Sequence, residues 1–294
     1  MVITCNLLGG LGNHFFQIFT TITYTLKYRK PFTKIIQNQL DTKHSTYWNS
    51  LLNPLSNYTK QLVNNQYFVS NIDSTINTNN YQFIKLHEKS FSYDELPELN
   101  VENLLLYGYF QSYKYFEEQT DNIAKLNHLK EQKIIVKTKY TNYSKIDNTA
   151  SLYFRRDDYE QLQDCYILIG YEYYKNAIDY LINNSDISNV ILFCEKNDIF
   201  HMSVIIEKIK NIYSYSHLTF QIIDFDIPDW DQLLIMSNCK YNIIANSSFS
   251  WWGAYFNTTP NKIVCYPNKW FGPKLEKTHN TNDLFLKEWI KVDS

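Results

Sequence analysis

Asn246-Ser247-Ser248-Phe249-Ser250 closes the apolar run Ile243-Ile244-Ala245 and leads directly into Trp251-Trp252. A strand that ends in amides and hydroxyls and runs into a helix offers N–H groups and a partial positive charge, which is the chemistry of a phosphate cradle. Upstream, Ser151-Leu152-Tyr153-Phe154 reads as a strand that finishes in Arg155 and Arg156. A guanidinium keeps its charge and bridges phosphate oxygens bidentately. Neighbouring residues of an extended segment point to opposite faces, so one arginine faces the ligand. Arg155 is assigned that role, as the catalytic group that neutralises a departing diphosphate, and Arg156 is expected to pair with Asp158. The ligand expected beyond the carboxyl ends of these strands is a nucleotide diphosphate.

Such a site needs parallel strands with helices between them, and the second half of the chain supplies that pattern. Strands are expected at 149–154, 189–194, 218–223, 241–245 and 262–266, with helices near 171–183, 199–212, 230–237 and 249–257. Alternation of this kind implies right-handed crossovers and a parallel sheet. In the first half, Val2–Leu8 reads as a strand. It is followed by the turn Gly9-Gly10-Leu11-Gly12-Asn13 and a helix from His14 to Tyr28. Residues 38–100 are weakly periodic, with short apolar pieces at 67–69 and 81–84. A strand is expected at 104–110 and a helix from Tyr115 to Lys130, while Lys137–Asn148 lacks periodicity and reads as a linker. The fold class is therefore α/β, with an N-terminal domain over 1–140 and a C-terminal domain over 149–294.

Composition removes other classes. A net charge of -2 gives no basic surface for nucleic acid. Five scattered cysteines without a C-x-x-C pair argue against zinc and against a disulfide framework, and point to a reducing compartment. No apolar run reaches the roughly 18 residues of a membrane span, and no basic segment precedes an apolar stretch at the start, so a cytoplasmic protein without membrane insertion is expected. Aromatic residues make up 17% of the chain, which suits a cleft that packs sugar rings. Asp224-Phe225-Asp226 imitates a metal-binding pair of carboxylates, but its place ahead of Pro228 reads as turn capping, and no metal is assigned.

Four segments together resemble the α-1,2-fucosyltransferase family. They are Gly9-Gly10-Leu11-Gly12-Asn13-His14-Phe15-Phe16-Gln17, Gly108-Tyr109-Phe110-Gln111-Ser112-Tyr113-Lys114-Tyr115-Phe116, Tyr153-Phe154-Arg155-Arg156-Asp157-Asp158-Tyr159, and Asn246 through Trp252. The resemblance implies a GT-B-like pair of Rossmann-type domains facing across a cleft. It also implies GDP-fucose as donor, no cofactor, inversion at the fucose anomeric carbon, and a galactose-type glycan acceptor. Donor contacts are then expected from Asn13, His14, Tyr153, Arg156, Asp158, Asn246, Ser247, Ser248, Phe249 and Ser250. Glu195, with Asp198 as the fallback, would read guanine. Two departures stand out: Tyr153 replaces the family's histidine and Asp157 its glycine. Asp157 is expected to face solvent or Arg156. A different nucleotide sugar or linkage on the same scaffold, or a catalytically silent glycan-binding module, are the alternatives. The base that deprotonates the acceptor is not identified by the sequence.

Overall fold

The computed structural model describes residues 2–29, 47–56, 83–143, 147–212 and 215–294. The apolar piece at 67–69, and residues 81 and 82 of the piece at 81–84, lie outside the described residues. The chain forms two compact units: residues 1–130 with 280–285, and residues 131–279 with 286–294.

The first unit is built on strands β1 (Val2–Cys5), β2 (Ile84–His87) and β3 (Asn103–Tyr107), all parallel and ordered β1-β3-β2. Helix α1 (Leu11–Lys27) follows β1 through a turn in which Gly9 has φ +74°, a region open to glycine. A side chain there would also strike the Asn13 amide, 2.3 Å from the Cβ position. The face of α1 carrying Phe15, Phe16 and Phe19 is completely buried, with Phe116 packed edge-on against Phe19.

The expected helix over 115–130 is interrupted. Helix α2 (Thr120–Leu126) ends, His128 adopts φ +50°, and a new helix α3 (Leu129–Lys139) runs through the start of the expected linker. A left-handed residue just past a helix end turns the chain sharply, and histidine gives no warning of it in sequence. Ile134 and Ile135 of α3 are exposed, so its periodicity is weak. What fixes it is polar. Lys133 Nζ donates to the carbonyls of Ser237 at 3.0 Å and Phe256 at 2.8 Å, near the ends of two helices where a cation is favourable. Burial lowers the Lys133 pKa to about 8, and Lys262 adds repulsion. With the unfolded value near 10.5, the unfolded chain binds more protons between these two limits, so stability rises with pH across that window. Wild type is therefore expected to gain thermal stability relative to Lys133→Met as pH rises from about 8 to about 10. Scanning calorimetry of the pair would show a constant gap if this burial were unimportant.

The second unit holds a six-stranded, wholly parallel sheet. Its strands are β4 (Thr149–Tyr153), β5 (Asn189–Phe193), β6 (Thr219–Ile222), β7 (Tyr241–Ile243), β8 (Ile263–Pro267) and β9 (Ile290–Val292). The order is β6-β5-β4-β7-β8-β9, the order of a doubly wound nucleotide-binding sheet, reversing direction between β4 and β7. Helices α4 (Tyr171–Asn184), α5 (Ile199–Lys210), α6 (Asp229–Asn238) and α7 (Ser248–Tyr255) fill the connections where the pattern places them. The three-residue β9 carries too little pattern to be seen in sequence.

Trp251 and Trp252 are fully buried and build the core rather than a ligand surface. Asn242 locks β7 in place: its amide donates to Ser151 Oγ at 2.8 Å and the Met236 carbonyl at 2.9 Å, and its oxygen accepts from Asn257 at 2.7 Å. Cys5, Cys194, Cys239 and Cys265 are buried free thiols, each pushed up to about 12 by burial. No described helix is long and apolar enough to cross a membrane.

Candidate donor site at the sheet switch point

Strands β4 and β7 are paired through Leu152 and Ile243 and then part company. Beyond that point the ladders to the outer neighbours continue by one bond each, Phe154 N–H to the Phe193 carbonyl of β5 and Ile244 N–H to Cys265 of β8. The crevice between β4 and β7 is where ligands of such sheets bind. On one side stands Arg155; on the other, the loop Asn246–Ser247 and the start of α7.

Arg155 is 19% exposed in its side chain and reaches two carboxylates: Nη1 donates to Glu195 at 2.9 Å and Nη2 to Asp158 at 2.6 Å. The guanidinium carbon lies 5.2 Å from the Tyr159 ring centroid. Burial opposes its charge, yet Tyr153, Tyr159, Asp158 and Glu195 outweigh that and raise its pKa beyond the ordinary arginine value. The expected Arg156–Asp158 pair is thus corrected: Asp158 serves Arg155, and Arg156 pairs with Glu160. The reason is the 3-10 turn at Asp157–Gln161, which folds Asp158 back beneath Arg155 and brings Glu160 round to Arg156. Asp157 is exposed and accepts from the Asn197 amide at 3.2 Å, not from Arg156.

Glu195 and Asp198 take different work. Burial raises the Glu195 pKa, Arg155 lowers it, and Asp157, Asp198 and Asp158 add to the rise. With half its side chain exposed, it can accept from a ligand as well as from Arg155. Asp198 is 2% exposed, and its oxygens accept from the backbone N–H groups of Arg156 at 2.9 Å and Asp157 at 2.7 Å. It shapes the arginine loop.

Across the crevice, Ser247 precedes α7 without a side-chain cap, and the first turn carries no acidic residue. The amides of Ser248, Phe249 and Ser250 therefore start the helix with the positive end of its dipole open to an anion. Ser250 Oγ donates inward to the Ser247 carbonyl at 3.1 Å, and Asn246 Nδ2 donates to the carbonyls of Ile167 and Trp270, both at 3.0 Å. These two side chains hold the loop. Tyr153 is 5% exposed, packed 5.5 Å from the Phe249 ring beneath this turn.

Asn13 and His14 belong to the first unit. Asn13 Oδ1 accepts from Gln111 at 2.7 Å, and His14 is buried edge-on against Tyr47. In the Asp224-Phe225-Asp226 segment, Asp224 accepts the Asp226 N–H at 2.9 Å as a turn former, and no metal-binding cluster occurs among the described residues. Sequence reasoning missed Tyr159, whose hydroxyl donates to the Asn246 carbonyl at 2.9 Å, although it stands within the arginine motif.

The profile of glycosyl transferase family 11 matches residues 12–293. The chain belongs to that family. Among curated members and relatives, it is 30% identical over 205 residues to the O-antigen biosynthesis glycosyltransferase WbnK of Escherichia coli, an alignment spanning 66% of this chain and 63% of that protein. It is 26% identical over 307 aligned positions to an α-1,2-colitosyltransferase of the same organism, covering 99% of both. Among solved structures, a glycosyl transferase family 9 protein from Veillonella parvula DSM 2008 aligns with TM-score 0.47 and 10% identity, over 99% of this chain and 86% of that one. The α-1,6-fucosyltransferase NodZ, co-crystallised with GDP, aligns with TM-score 0.38 and 8% identity, over 86% and 91%. For this member of family 11 the resemblance read from four motifs stands.

Proposed function

We propose that the chain moves fucose from GDP-fucose to the 2-hydroxyl of a galactose-type acceptor, inverting the anomeric carbon and requiring no metal. The observation that carries this reading is that Arg155, beyond β4, and the uncapped start of α7, beyond β7, flank the switch point and are linked through Tyr159. The acceptor oxygen attacks the anomeric carbon from the face opposite GDP, the bond from that carbon to the β-phosphate oxygen breaks, and the acceptor proton passes to a base. Negative charge grows on the β-phosphate, where Arg155 and the amides of Ser248–Ser250 receive it. Glu195 accepts from the guanine edge on the same side.

Colitose as the donor sugar is the second reading, favoured by the relative that aligns over 99% of both chains. Colitose is fucose lacking one hydroxyl, so the diphosphate chemistry is unchanged and only a sugar contact differs. Nucleotide release from GDP-fucose, GDP-colitose, GDP-mannose and UDP-sugars, with EDTA present and with or without lactose-type acceptors, separates these possibilities. Acceptor-dependent GDP release from a 6-deoxy sugar donor, indifferent to EDTA, is expected. Release only from UDP-sugars, or only with added metal, sinks the proposal.

A further inference from the structure

Because the β4–β7 ladder ends at Leu152 and Ile243, it does not set the distance between Arg155 and the α7 amides. Tyr159 spans that gap. Its ring carries the Arg155 guanidinium at 5.2 Å, and its hydroxyl donates to the carbonyl of Asn246, the residue before Ser247. The Tyr166 ring lies nearly parallel to it, 4.4 Å away with an interplanar angle of 11°, which fixes the plane on which the arginine rests. Asn246 is in turn held by its own amide to Ile167 and Trp270, so the hydroxyl meets a fixed acceptor. Burial raises the Tyr159 pKa, with Arg155 pulling the other way, and the net rise keeps the hydroxyl a donor.

We infer that Tyr159 is a positioning residue that joins the two halves of the anion cradle and sets the separation of the Arg155 guanidinium from the helix amides. The inference rests on the nucleotide-sugar reading above and goes beyond it, since it assigns Tyr159 a role exerted through Arg155 and Asn246. A cradle spaced for a departing diphosphate acts on the transition state, so its loss falls on turnover more than on donor binding.

Tyr159→Phe keeps the ring under Arg155 and removes the bond to Asn246. Wild type is first titrated with GDP, and then kcat and the donor KM are measured for wild type, Tyr159→Phe, Arg155→Ala and the double variant. Expected are GDP binding by wild type, a kcat lower by roughly 10- to 100-fold in Tyr159→Phe, and a donor KM within about threefold. In the Arg155→Ala background the same change should cost less than about threefold, because the group it positions is gone. A folded Tyr159→Phe with wild-type kcat overturns the inference, as does an equal fractional loss in both backgrounds. If wild type binds no GDP, the nucleotide-sugar reading fails and takes this inference with it. Thermal unfolding checks that the variant is native. Should it not fold, Tyr166→Leu, which withdraws the parallel ring and keeps the hydroxyl, is expected to lower kcat by a smaller factor at unchanged KM; an unaltered kcat there overturns the inference.

Discussion

Arg155→Ala is expected to reduce kcat by about 1,000-fold, and Arg155→Lys by about 100-fold, because a lysine keeps the charge but not the two-pronged contact. The alanine variant should also raise the donor KM, for a reason specific to this site. Glu195 and Asp158 both lie on the guanidinium. Once it is removed, two carboxylates face the incoming diphosphate without a counter-charge, and repulsion is added to the lost attraction. Adding Asp158→Asn to Arg155→Ala, with Glu195 left in place for the guanine edge, is therefore expected to recover part of the donor KM and little of kcat. Steady-state kinetics with GDP-fucose separates the two effects. An Arg155→Ala enzyme within about threefold of wild-type kcat would remove the electrostatic core of the proposed mechanism.

Much of this site was legible because its residues sit where strand patterns end. Arg155 and the Asn246–Ser250 turn are punctuation between an apolar run and a helix, and such punctuation is local. The parallel character of the second sheet followed from strict alternation of strands and helices, and the central strand β4 is buried along its whole length. What escaped was set by contacts distant in sequence. Asp158 was assigned to Arg156 on extended-strand geometry, but the 3-10 turn reverses the chain there and hands it to Arg155. Tyr159 was visible as a letter of the motif and not as a bridge, because its partner lies 87 residues on.

A device common to both units was equally hidden. Glu88, just after β2, accepts the amides of Tyr109 and Phe110 at 2.7 and 2.9 Å, and Asp198, after β5, accepts those of Arg156 and Asp157. In each case a carboxylate beyond one strand grips two successive N–H groups of the loop beyond its neighbour. The grip is tight in the first unit: Phe110 is held at φ +53°, and a Cβ on Gly108 would come within 2.7 Å of the Glu88 carboxylate. Carboxylates are ordinary on any surface, so neither signalled its role by type or spacing.

Asp198 lends itself to the sharper test of that device, since the loop it holds carries Arg155. Burial raises its pKa, while the amides of Asp157 and Arg156 pull it down without cancelling the rise. A carboxyl group whose folded pKa lies above its unfolded one contributes its stability at low pH and loses it as pH rises through the folded value. Ionisation of Asp198 is thus a cost to folding, and its place in the molecule is explained by loop geometry rather than by stability. Asp198→Ala removes that cost but orphans two amides, each worth about 1–3 kcal/mol in the other direction, so the two contributions oppose each other. Activity has no such compensation. With the loop released, Arg155 leaves its position by a fraction of its reach, and kcat is expected to fall by about 100-fold. Asp198→Asn should land between the two, because its oxygen satisfies one amide while its NH2 confronts the other. Kinetics and calorimetry on both variants would show a large loss of turnover with a small shift in melting. A variant that melts much earlier yet keeps wild-type kcat would mean that the carboxylate serves the fold and not the arginine.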